Sequence, residues 1–62
     1  MSLPTFEEMR RNAHRLLGDA EDELRSDWAP GSEPTHAQAL ARRDAMRLIA
    51  RARAALDRAA RL

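Results

Sequence analysis

Apolar and polar positions recur with a helical rhythm along two stretches of the chain. In the first, Phe6, Met9, Ala13, Leu16, Leu17, Ala20, Leu24 and Trp28 return every three or four residues. At about 100° per residue they fall within an arc of roughly 120°, which predicts an amphipathic helix over about 5–28. In the second, Ala41, Ala45, Leu48, Ala52, Ala55, Ala59 and Leu62 follow a four–three spacing. That is the spacing of a heptad seam, and it predicts a helix over about 35–61. Leu40, Ile49 and Leu56 flank this seam. Met46, with Ala39, Ala50 and Ala60, makes a weaker second strip, so the second helix is expected to have more than one neighbour.

The start signals of the two helices match. Thr5 is followed three residues later by Glu8, and Thr35 by Gln38. Each pair predicts a capping box, in which the Thr hydroxyl accepts from the third helical amide and the Glu or Gln side chain accepts from the Thr amide. Pro4 and Pro34 stand just before the caps and oppose extension of the helix backwards. Between the helices lies Ala29-Pro30-Gly31-Ser32-Glu33-Pro34. Two prolines and a glycine in six residues cannot carry a helix, so 29–34 reads as the turn. Near-equal helices of roughly 36 and 40 Å and a short connector predict an antiparallel hairpin. The fold class expected is all-α, with residues 1–62 forming one helical hairpin.

Composition sharpens this reading. The 62 residues include thirteen Ala, eight Leu and eleven Arg with no Lys. Ala, Leu, Arg and Glu are strong helix formers, whereas β-branched residues amount to one Ile and two Thr, too few for a sheet. No Cys is present, so neither a disulfide nor a thiolate metal site is available. No apolar run approaches the ~20 residues that span a bilayer, and the N-terminus lacks a basic region followed by an apolar block. A soluble, cytoplasmic protein without membrane attachment is the expectation. Two lone helices cover each large side chain on one side only, and there is no staple to compensate. Pairing of two hairpins into a four-helix bundle is therefore expected, with Phe6, Leu17, Trp28, Leu48, Ile49 and Leu56 as interface residues.

The net charge of +1 conceals an asymmetry. Residues 5–28 carry four Arg and seven acids, giving −3, while residues 35–62 carry seven Arg and two Asp, giving +5. In a hairpin the acidic run Asp19, Glu21, Asp22, Glu23 and Asp27 is expected to face Arg42, Arg43 and Arg47. At the other end Arg10, Arg11 and Arg15 approach Arg51, Arg53, Arg58 and Arg61. Arg43, Arg47, Arg51 and Arg58 also form a stripe at helical spacing. As a function it would contact phosphates of a nucleic acid; as structure it is a solvated face whose Arg stems cover apolar surface. The small net charge and the lack of stacking aromatics favour the second.

Candidate chemistry is sparse. His14 and His36 show no Glu-x-x-His or His-x-x-x-His spacing, so no metal site is expected. His14 reads as lying on the outer side of helix 1, and His36 as an exposed residue of the first turn of helix 2. The carboxylates look like a solvated run, with none isolated in an apolar pocket, and glycine is too scarce for a phosphate-cradling loop. No catalytic residue and no cofactor is expected. Gly18 reads as a surface glycine, or as a point where a partner backbone approaches closely. Trp28 either closes the end of the hairpin over Leu24 and Leu40 or anchors an interface. Taken together, the sequence reads as a non-catalytic interaction module whose partner is itself, most simply as a dimer. Its alternatives are a small accessory subunit docked on a larger protein and an Arg-face nucleic-acid binder.

Overall fold

The computed structural model describes residues 2–62; Met1 lies outside the described residues. It consists of two helices that pack against each other, α1 (Phe6–Arg25) and α2 (His36–Ala59). Cross-helix contacts fix their relative direction. Arg10 meets Asp57, Glu21 meets Arg53 and Trp28 meets Arg42, so numbers fall on α2 as they rise on α1. The hairpin is antiparallel.

Thr5 and Thr35 cap the helices in extended backbone conformation, and their hydroxyls accept from the Glu8 and Gln38 amides at 3.1 Å. Only the second cap closes reciprocally, the Thr35 amide donating to Gln38 Oε1 at 2.9 Å. Thr5 keeps the first half of the box, and the Glu8 carboxylate has no partner among the described residues. The N-terminal limits thus follow the cap chemistry, but α1 stops three residues earlier than its apolar pattern implies. Ser26 turns extended (ψ 147°), and its hydroxyl donates to the Asp22 carbonyl at 3.0 Å. A Ser side chain that satisfies the last turn in this way competes with continuing the helix. Asp27 and Trp28 therefore belong to the connector. Its tight point is Ala29–Ser32, where the Ser32 amide donates to the Ala29 carbonyl at 3.0 Å around Pro30 and Gly31. Gly31 has φ +86°, which with Pro30 before it makes a type II turn, a shape that requires glycine or asparagine at that place.

The packing seam is rotated from the expected one. On α2 the half-buried residues are Ala39, Arg42, Ala45, Met46, Ile49, Ala52, Arg53, Leu56 and Ala59. They share Ala45, Ala52 and Ala59 with the expected heptad, but Ile49 and Leu56 replace Leu48 and Ala55 at its centre. The seam has turned by about 80°. Size explains this. Ile49, Leu56 and Met46 offer α1 more contact area than an alanine strip, and the stems of Arg42 and Arg53 extend it. On α1 the half-buried residues are Arg10, Ala13, His14, Leu17, Gly18, Glu21 and Leu24. Thus His14 faces α2 rather than lying on the outer side.

No described residue is fully buried. The molecule measures 47 × 26 × 13 Å, with a radius of gyration of 15.2 Å. A compact chain of this length would have about 11 Å. It is a slab one helix thick, with a seam but no enclosed core.

Candidate functional site

The two broad faces of this slab differ. Seen along the helices, the residues on one side of the seam are polar and bonded across it. Glu21 Oε2 lies 3.3 Å from Arg53 Nη1 and 3.0 Å by its other oxygen from Arg25 Nη2. Asp57 Oδ1 lies 3.6 Å from Arg10 Nη1 and 3.0 Å from His14 Nε2. The His14 approach is close but not aligned as a hydrogen bond, so its Nε2, 22% exposed at the side chain, has no hydrogen-bond partner. Arg10 also donates through Nε to Glu7 at 3.0 Å. Hydrogen bonding to Arg10, more than the charges of Arg10 and Arg11, holds the Glu7 carboxyl below its ordinary range, and the same bonding, more than the charges of Glu7 and Asp57, holds the Arg10 guanidinium above its own. Met46 and Ala50 interrupt this paired face, and Gly18 opens onto it with nothing within 4 Å of where a Cβ would stand.

The opposite face is apolar and open. Taking about 100° per residue, Phe6, Met9, Leu16 and Ala20 lie on one side of the α1 seam. Ala41, Leu48 and Ala55 lie on one side of the α2 seam. In an antiparallel pair these two sides coincide. The large side chains there remain half uncovered: Phe6 54%, Met9 54%, Leu16 57% and Leu48 53%. Leu40 adjoins them at the turn end, where Trp28, 44% exposed, receives the Arg42 guanidinium 5.4 Å from its ring centroid.

The expected interface residues therefore divide. Phe6 and Leu48 stand on the open face and Trp28 at its end. Leu17, Ile49 and Leu56 are spent within the hairpin seam. Sequence reasoning set Met9 and Leu16 on the apolar arc of α1 without singling them out as interface residues; their offset from the Leu17–Leu24 line was the available signal.

The charges also fall differently from expectation. Of the acidic run, only Glu21 reaches α2, and its partner is Arg53 rather than Arg42, Arg43 or Arg47. In the Arg stripe, Arg47 pairs with Asp44 on its own helix. Arg43, Arg51 and Arg58 have no acidic partner among the described residues, and neither do Glu8, Asp19 and Glu23 on α1. An open groove lined by Leu40, Ala41, Arg43, Asp44 and Arg47 follows the outer flank of α2. Among the described residues no three His, Asp or Glu side chains gather in a way that could hold a metal ion, and no helix is long and apolar enough to cross a membrane. Comparison with protein-family models, with curated proteins and with solved structures finds no match to this chain.

Proposed function

We propose that the protein is a non-catalytic interaction module that self-associates, two hairpins stacking open face on open face as a four-helix bundle. One observation carries this reading: the chain exposes 5324 Å², whereas a compact monomer of 7.0 kDa exposes about 4,000 Å². Phe6, Met9, Leu16 and Leu48, each more than half exposed, stand together on one side of the hairpin. That face spans both helices, about 30 Å by 20 Å. Two copies would bury roughly 1,200 Å² between them, the size at which stable interfaces begin. Four helices would then enclose Phe6, Met9, Leu16 and Leu48 as a core that no single copy has.

Solution mass and helicity measured together over a dilution series test this. The expected result is twice the 7.0 kDa chain mass, with mass and helicity falling together on dilution. A helical species of single-chain mass at micromolar concentration would overturn it. An unfolded lone chain that becomes helical only on a larger protein would favour the accessory-subunit reading instead. The Arg-face nucleic-acid reading has less support, because Asp44 occupies Arg47 and interrupts the stripe. Steeply salt-dependent DNA or RNA binding would revive it.

A further inference from the structure

Resting on that self-association, we infer how the second copy sits: α1 of one hairpin lies on α2 of the other, and the outer edge of α2 that carries Arg51 and Arg58, which have no acidic partner among the described residues, is the edge that recognises it. Two stackings bring open face to open face with two-fold symmetry. In one, the axis runs along the helices and each α1 covers the partner's α2. In the other, the axis crosses the helices, so α1 covers α1 and α2 covers α2. Both leave all neighbouring helices antiparallel, so direction alone does not choose between them.

Charge and size do choose. Counted over the helices themselves, α1 has four Arg against six acids, −2, and α2 has six Arg against two acids, +4. The crossing axis stacks like charge on like, and the parallel axis stacks unlike on unlike. The unpaired groups sit where this matters. On α1, Glu23 borders the open face and Asp19 stands on its outer edge, and on α2, Arg51 and Arg58 do the same at the angles set by about 100° per residue. The levels also agree. In the contacts within the hairpin, the facing numbers sum to about 70, as in Arg10–Asp57, Glu21–Arg53 and Trp28–Arg42. An axis along the helices preserves level, so Asp19 comes beside position 51 of the second copy and Glu23 beside position 47. Leu16 comes over position 55, an alanine, and Ala20 over position 48, a leucine. Large meets small and acid meets Arg in one register. Each edge pair is modest, but like charges in the other stacking are penalised along the whole length, which is how such edges select a partner orientation.

The chain has no cysteine, so the test can use the double variant Asp19→Cys/Arg51→Cys, oxidised and mapped by peptide mass spectrometry. Positions 19 and 51 lie on opposite outer edges of one hairpin, so any bond that forms is between copies. A bond joining 19 to 51 is expected. Bonds joining 19 to 19 or 51 to 51, or a dimer that forms none, would overturn the inferred register while leaving self-association standing. A monomeric mass for the unmodified chain would remove both. If the double variant does not fold, isotope-filtered contacts between the Leu16 and Ala55 methyl groups in a half-labelled unmodified dimer answer the same question, and their absence counts against the register. Reversal of one charge gives a sign. Asp19→Arg is expected to raise the dimer Kd several-fold and adding Arg51→Asp to restore it; tighter association of Asp19→Arg alone would indicate the like-on-like stacking.

Discussion

The two faces of the hairpin use the same helices differently. On the paired face, charged side chains reach across the seam, and Glu21, Arg53, Asp57, Arg10 and His14 make most of the cross-helix polar contacts. On the open face, Phe6, Met9, Leu16 and Leu48 reach nothing of comparable size. Polar contacts exposed to water add little net stability, so the paired face sets direction and level without supplying a core. The open face carries large apolar side chains that stay more than half exposed, so the term that scales with burial is left uncollected there. The difference teaches that one chain specifies its helices and their relative direction while leaving large apolar side chains on the open face half uncovered.

The comparison breaks most sharply at Leu48. Leu48→Asp places a carboxylate at the centre of the open face; unpaired burial of a charge costs about 3–5 kcal/mol, so association should weaken by roughly a thousandfold. Sedimentation equilibrium would show monomer where a dimer is proposed for the unmodified chain, and an unchanged dimer would mean that the open face is not the interface. Next in size are the seam residues. Leu17→Ala and Ile49→Ala remove contacts inside the hairpin, and at half burial each should cost about 1–2 kcal/mol, read as a lower melting temperature by circular dichroism.

Gly18→Ala sharpens the contrast from the other side. Space is open at that position, so alanine should gain about 1 kcal/mol of helix stability. The dimer should persist, since Gly18 faces away from the proposed interface; loss of the dimer would place a partner on the paired face. Asp57→Asn, measured by thermal melting, should cost less than about 1 kcal/mol, with the difference from the unmodified chain shrinking in salt. The smallest effect is one of pH. Arg10 holds the folded Glu7 carboxyl below its unfolded value, so its contribution is present above the unfolded value and is lost as pH falls through the folded one. The dependence of the melting midpoint on acid pH should flatten slightly in Glu7→Gln.

The helices and their starts were legible because they rest on local chemistry: Thr5 and Thr35 both cap, Thr35 with the full reciprocal box and Thr5 with half of it, and Pro30-Gly31 makes the turn. The end of α1 was not, because the apolar rhythm continues to Trp28 while the Ser26 hydroxyl closes the helix on Asp22. The seam of α2 was misplaced for a related reason. Two heptads run through Ala45, Ala52 and Ala59, one joined by Leu48 and Ala55 and the other by Ile49 and Leu56. Periodicity cannot separate them, and only contact with α1 decides. Once the seam turned, His14 moved inward and the Arg contacts changed partners, since these follow from orientation rather than composition. The open face was visible as an apolar arc on α1, but its continuation onto α2 depends on that same rotation.

A slab only 13 Å thick keeps every peptide group within one side chain of water. Such a molecule has little to protect one backbone segment more than another, so brief fraying and complete unravelling should need similar free energies. An unaccompanied copy would then be open to proteases along most of its length, and a copy in a bundle would be shielded. Cellular lifetime would rise with abundance, and scattered surplus chains would be the first to be degraded.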